Sequence, residues 1–183
     1  MKVAVFDRME ECTEAEVQRL LPLVSAQRRE QALRYRHTFG RFCCLKAWLM
    51  LEEMIGEVND FEYTEHGKPF IAGGPYFSIS HCKEAISVAI DDEPIGIDIE
   101  QIRHADDELI ARTMNEEEQN SIRHAAFPDT AFIRLWTQKE AIVKAQGTGI
   151  LSFEQLQHVA KLSPFELETI EKEKYIYSIA YKQ

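Results

Sequence analysis

Apolar and polar residues alternate through MKVAVFD at the start of the chain, a period of two that predicts a strand. The period then lengthens. TEAEVQRLLPLV opens with Thr13 and Glu16 at capping-box spacing and predicts a short helix halted near Pro22. Between Ser25 and Gly56, candidate N-cap and C-cap, Leu45, Trp48, Leu49 and Ile55 suit a helical stripe, and Gly40 is expected to divide the segment into two helices. FEYTEHGKPFIAGG reads as strand residues followed by turn residues. PYFSISHCKEAISVAID predicts two short strands joined at HCKEA, and EPIGIDIE predicts another. DDELIARTMNEEEQNSIRHAA supplies one or two short helices. DTAFIRLWTQKEAIVKAQGTG predicts a helix capped by Asp129 or Thr130 and ended by Gly147. KYIYSIAYK alternates strongly and predicts a terminal strand.

This order repeats weakly. Each half places a long helix with a lysine and aromatic centre (LKAWLML, then LWTQKEAIVKA) ahead of a closing strand (YFSISHCKEAISVAI, then YIYSIAYK). The expected fold class is α+β: a pseudo-twofold duplication of two similar α+β halves, residues 1–92 and 93–183, in one compact unit with a ligand cleft between them.

Composition agrees with a globular chain that buries a core: 183 residues, 45% apolar and 28% charged. No run of 18 apolar residues exists, so a membrane-spanning helix is excluded. The N-terminal residues resemble neither a signal nor a transit peptide, so the expected location is cytoplasmic. Cys12, Cys43, Cys44 and Cys82 fit no zinc spacing and read as reduced, mostly buried residues. The net charge of −10 argues against nucleic-acid binding. Charge is uneven, however. Arg28, Arg29, Arg34, Arg36, Arg41 and Lys46 crowd one segment, which suggests a small anionic ligand or an anionic partner surface.

Four stretches carry candidate chemistry. In IGIDIE, Asp98 and Glu100 lie two apart on a strand, so both leave it on one face while Ile97 and Ile99 turn to the core. Paired carboxylates repel, and a hard cation such as magnesium removes the penalty; a solvated strand end is the plain alternative. In RLWTQKEAIVKAQGTG, Trp136, Glu140 and Lys144 share a helix face. An ordinary Glu140–Lys144 salt bridge would account for that pair; a third metal ligand or a general base would also use Glu140. In FSISHCKEA, Ser80 and His81 suit an anion contact better than a hydrolytic triad, because adjacent strand residues point opposite ways. In HGKPF, Gly67 and Pro69 set a turn from which Lys68 projects.

Taken in order, GKP, FSISH, GIDIE and WTQKEAIVKAQGTG resemble the Sfp-type 4′-phosphopantetheinyl transferase family, with QRREQALRYRHTFGR and CLKAWL similar to its basic N-terminal helix region. The resemblance implies a pseudo-dimeric α+β fold and an enzyme that moves the phosphopantetheine arm of coenzyme A onto a serine of an acyl or peptidyl carrier protein. It implies that Asp98, Glu100 and Glu140 bind Mg2+, that Glu140 is the general base, and that Lys144 contacts the coenzyme A phosphates with Lys139 close by. Ser80 and His81 would bind the nucleotide end, and Lys68 and Arg28 would add charge at its phosphate. Residues 1–92 would form the nucleotide side and 93–183 the metal and catalytic side. The expected partners are the carrier protein and coenzyme A, with no nucleic acid and no membrane, and the expected state is a monomer. Ile110, Met114 and Phe127 are candidates for carrier docking, or else core residues. Departures also exist: Gln31 stands where some relatives have a second basic residue, and Cys43 and Cys44 where relatives often have Arg with Thr or Ser. Arg34, Arg36 or Arg41 would then compensate. The segment after GTGI is short. Two other functions compete, a non-catalytic coenzyme A or carrier-binding module and a metal-dependent nucleotide phosphohydrolase.

Overall fold

The structure, a computed structural model, describes residues 1–58, 61–149, 152–159 and 163–182. Strand β1 (Lys2–Phe6) leads through a single 3-10 turn to helix α1 (Glu14–Leu20). Thr13 caps α1 by accepting from the Glu16 amide at 3.2 Å. The Glu16 carboxylate turns to Arg19 instead of completing the expected box. Pro22 lies in the 3-10 turn that follows α1. Helix α2 (Ala26–Leu33) is capped by Ser25, and α3 (Thr38–Ile55) ends at Gly56, whose φ of +92° suits a residue without a side chain.

The break between these helices falls at residues 34–37 and not at Gly40, which sits inside the first turn of α3. A Cβ at Gly40 would stand 2.7 Å from Cδ1 of Tyr35. The glycine therefore makes room for a ring packed across the bend. Strands β2 (Glu62–Tyr63) and β3 (Pro69–Phe70) form a small hairpin. Strands β4 (Tyr76–His81) and β5 (Ile86–Asp91) form a larger one, and β1 pairs with β5 to give an antiparallel sheet ordered β1–β5–β4.

The remaining elements are β6 (Gly96–Gln101), α4 (Asp107–Thr113), α5 (Glu116–His124), α6 (Pro128–Gln146), α7 (Phe153–His158), β7 (Glu166–Glu171) and β8 (Tyr175–Tyr181). Helix α6 begins earlier than expected, with Phe127 at the N-cap and Pro128 in the first turn, where a fixed φ and a missing N–H cost nothing. Its end at left-handed Gly147 is as expected. The second antiparallel sheet runs β6–β8–β7. Both sheets share one build: a strand, a long helix, then a hairpin whose second strand takes the centre. The architecture is α+β.

Phe42, Trp48 and Leu51 centre one core under the first sheet, while Ala141, Ile142, Phe132 and Ile133 of α6 serve the second. A shared layer joins them: Ala89 of β5 packs with Ile95, Ile97 and Ile179, and Cys82 and Ala85 pack with Ile99 and Tyr175. The β6 backbone is also tied to β4, where Ile97 N–H donates to Ser78 Oγ at 3.0 Å. No helix among the described residues is long and apolar enough to cross a membrane.

Candidate active site

The site begins with a missing side chain. Helix α6 crosses β6 so closely that a Cβ at Gly96 would collide with the carbonyl oxygen of Ala141 and stand 2.5 Å from the Ala145 nitrogen. Gly96, Ala141 and Ala145 are small for this reason, and the approach sets the face carrying Asp98 and Glu100 against the face carrying Glu140 and Lys144. Ile97 and Ile99 are fully buried in the shared layer, as the alternation requires.

Asp98 is 4% exposed. Its Oδ1 accepts from Ser80 Oγ at 2.8 Å and from Lys144 Nζ at 2.6 Å. Lys144 also donates to Ser80 Oγ at 2.9 Å. Lys144 thus pairs across to β6, and not along its own helix to Glu140. The other oxygen, Asp98 Oδ2, is buried without a hydrogen-bond partner. Burial, then the charge of Asp98, pushes the Glu100 carboxyl up to about 7, although Arg103, Lys144 and the Trp136 indole pull it back. The same two causes raise the Glu140 carboxyl, against Lys144.

Among the described residues no three His, Cys, Asp or Glu side chains are gathered as a finished metal site. The donor set nevertheless fits a hard divalent cation. It offers one buried carboxylate oxygen lacking any partner and two neighbouring carboxyls that resist ionising beside it.

A second cluster lies across the cleft. Arg28 is 5% exposed, with its guanidinium carbon 3.5 Å from the Trp48 ring centroid and 4.4 Å from that of Phe61. Nη1 reaches Cys44 Sγ at 3.6 Å, while Nε and Nη2 are buried without a partner. A buried cation with open donors is costly unless an anion arrives. Arg28 and Cys44 line a cavity of about 410 Å³ that continues past Ser80 and His81 to Lys144. Gln31 lines it too, with Oε1 buried and unpartnered. Arg34 and Arg41 do not compensate there: Arg34 pairs with Glu30, and Arg41 bonds the Tyr35 carbonyl and faces Glu14. Lys46 stacks over Phe6.

Beyond Lys144 a larger and more apolar cavity, about 600 Å³, opens between Phe77 and Ile79 of β4, Trp136, Glu140 and Val143 of α6, and Phe153 and Leu156 of α7. The cleft is therefore graded. An unpaired cation stands at one end, a lysine and carboxylates in the middle, and an apolar chamber at the other end.

Two expected contacts are arranged differently. Lys68 Nζ donates to the carbonyl of Lys144 at 2.6 Å and of Ile95 at 3.3 Å, so it clips the hairpin loop to the end of α6. Burial, then Lys144, lowers its pKa to about 8. Lys139 is 1% exposed and faces away from the cleft. Its ammonium donates to Glu118 Oε2 at 2.7 Å, Leu156 O at 2.9 Å, Thr113 O at 3.1 Å and Gln157 O at 3.4 Å, binding α4, α5 and α7 to α6. His81, an exposed residue, lines the smaller cavity edge-on to Phe39, and desolvation by the surrounding protein, then Lys144, lowers its pKa. Of the docking candidates, Met114 is wholly buried and Ile110 packs on the second core, while Phe127 is 74% exposed.

The α+β scaffold thus gathers carboxylates and a lysine beside a cavity that holds a buried arginine. Residues 94–180 match the model of the 4′-phosphopantetheinyl transferase superfamily. The chain is 30% identical over 159 residues to the 4′-phosphopantetheinyl transferase psf-1 of Bacillus pumilus, covering 81% of this chain and 68% of that one. It is 29% identical over 149 residues to the transferase ffp of Bacillus subtilis, covering 75% and 66%. With the transferase AcpT of Salmonella typhimurium it shares 36% over 112 residues, covering 55% and 58%. The chain belongs to the 4′-phosphopantetheinyl transferase family. It spans about two thirds of the length of the two Bacillus relatives and somewhat over half of the third.

Proposed function

We propose that this protein transfers the 4′-phosphopantetheine arm of coenzyme A to a serine hydroxyl of an acyl or peptidyl carrier protein, releasing adenosine 3′,5′-bisphosphate. The observation that carries this reading is the graded cleft. Coenzyme A is itself graded, with a phosphorylated nucleoside, a central pyrophosphate and a long, largely neutral arm. Arg28, with two open donors, suits the nucleoside phosphate. Lys144 and Ser80 suit the pyrophosphate. The chamber lined by Trp136, Val143 and Leu156 suits the arm.

Asp98, Glu100 and Glu140 would hold Mg2+, which supplies charge neutralisation at phosphate oxygens when bound. The chain's own groups do the rest. Lys144 offers its ammonium to the negative charge that grows on the leaving bisphosphate. Glu140, raised by burial and by Asp98, is suited to accept the proton of the attacking serine, a role worth about 10²–10⁴-fold. The apolar walls keep water from competing with that serine. Ser78 and Ser80 hold β4 against β6 and so fix Asp98 in place. Transfer is direct, with no covalent enzyme intermediate.

The four cysteines are free, and the net charge is −10. These features support a cytoplasmic protein that does not bind nucleic acid. Two sheets of one build sharing a core layer support the reading of two equivalent halves and a monomer.

The test is incubation with coenzyme A, magnesium and a panel of apo carrier proteins, followed by mass spectrometry of each carrier. One added phosphopantetheine, lost with Glu140→Gln, is expected. Adenosine bisphosphate released without any carrier would indicate a phosphohydrolase, and ligand binding without turnover would indicate a binding module.

A further inference from the structure

Cys44 differs from the other three cysteines in what surrounds it. It lines the smaller cavity together with the buried Cys43, but it is half-buried and its Sγ lies 3.6 Å from Nη1 of Arg28. Arg28 is 95% buried, and two of its nitrogens have no partner. The thiol therefore shares its cavity with a cation that is short of anions. Burial pushes the Cys43 thiol up to about 12 and the Cys82 thiol up to about 11, and it also raises Cys12.

We propose that Cys44 is a modification site that takes small anionic disulfides, guided by Arg28, and that the adduct closes the nucleotide end of the cleft. The chemistry is thiol–disulfide exchange. The Cys44 sulfur gives its proton to solvent and attacks one sulfur of the incoming disulfide. A new S–S bond forms, the old one breaks, and the other half leaves as a thiolate. The disulfide is the oxidant, and a reducing thiol reverses the step. The anionic half left on Cys44 stands where the Arg28 donors are open. The exchange needs only the cavity and its two side chains; the consequence for coenzyme A rests on the function proposed above.

The experiment has two readouts. Brief exposure of the intact protein to dithiobis(nitrobenzoate), an anionic disulfide, or to neutral dithiodipyridine is followed by peptide mapping. The expected first adduct is on Cys44, with an anionic-to-neutral rate ratio about ten-fold above that of free cysteine methyl ester, the scale of electrostatic steering in a cleft. First labelling at Cys12, or a ratio equal to that of the free thiol, overturns the site. Neither result involves carrier or transfer, so the proposed activity is not at stake in it. Coenzyme A binding by the labelled protein is then measured by calorimetry. Loss that is reversed by reductant, and absent in Cys44→Ser exposed to the same reagent, is expected. Unchanged binding by protein labelled at Cys44 overturns the closing of the cleft.

Discussion

Gly96 of β6 and Ala141 of α6 meet backbone to backbone, with no space between them for a single methyl group. This one approach sets the distance between the strand that carries Asp98 and Glu100 and the helix that carries Glu140 and Lys144.

Gly96→Ala tests it. The colliding atoms belong to helix backbone and cannot rotate away, so the substitution forces helix and strand apart. Overpacking of this kind costs about 3 kcal/mol. Chemical denaturation should show that loss, and the surviving folded protein should transfer poorly because its carboxylates are spread. A loss under about 1 kcal/mol would mean that α6 slides easily and does not set the site.

Lys139 is a structural lysine beside Glu140, the proposed base. Lys139→Met leaves Glu118 and three carbonyls without their shared donor. Removing one partner of a buried pair costs about 3–5 kcal/mol. Denaturation should report it, while the Michaelis constant for coenzyme A of the folded fraction stays within about two-fold of the parent. A large rise in that constant with unchanged stability would put Lys139 at the phosphates after all.

Lys68 gives a pH signature. Its folded pKa, about 8, lies below the ordinary 10.5, so the unfolded chain binds more protons between these values. The burden of burying the charge is complete below about 8 and is relieved as pH rises towards 10.5. Stability of the parent relative to Lys68→Met should therefore climb across that window. A flat difference would show that the Lys68 ammonium is solvated.

Arg28→Ala should raise the Michaelis constant for coenzyme A by ten-fold or more, equivalent to about 1.4 kcal/mol. The rise should be much smaller for the dephospho form that lacks the 3′-phosphate. Equal rises for both would place Arg28 elsewhere on the ligand.

Much of this centre was legible in the chain because its signals are local. Alternation placed Asp98 and Glu100 on one face, and helical spacing aligned Glu140 with Lys144. Relations between distant elements were not legible. Spacing along α6 offered Glu140 as the partner of Lys144, whereas the sheet supplies Asp98, 46 residues away. Lys139 reads as a site residue by its neighbours in the motif, yet its side chain leaves on another face of the helix. Gly96 looked like a strand residue without a role, although the small residues Ala141 and Ala145 spaced one turn apart on α6 were the available sign of a close crossing. Strand β7 escaped notice because ELETIE is largely exposed and shows little apolar alternation. Helix α7, only six residues long, lies within the brief segment after GTGI, and Ile150 and Leu151 just before it lie outside the described residues.

The central claim is that Asp98, Glu100 and Glu140 act as one divalent-cation site next to bound coenzyme A. Crystals grown with manganese and coenzyme A, examined by anomalous diffraction at the manganese edge, test it most directly. The account predicts a single peak liganded by Asp98 Oδ2, now without a partner, and by oxygens of Glu100 and Glu140, with the nucleotide phosphate against Arg28. No peak among these carboxylates, with Asp98 Oδ2 still bare while coenzyme A is bound, would contradict it.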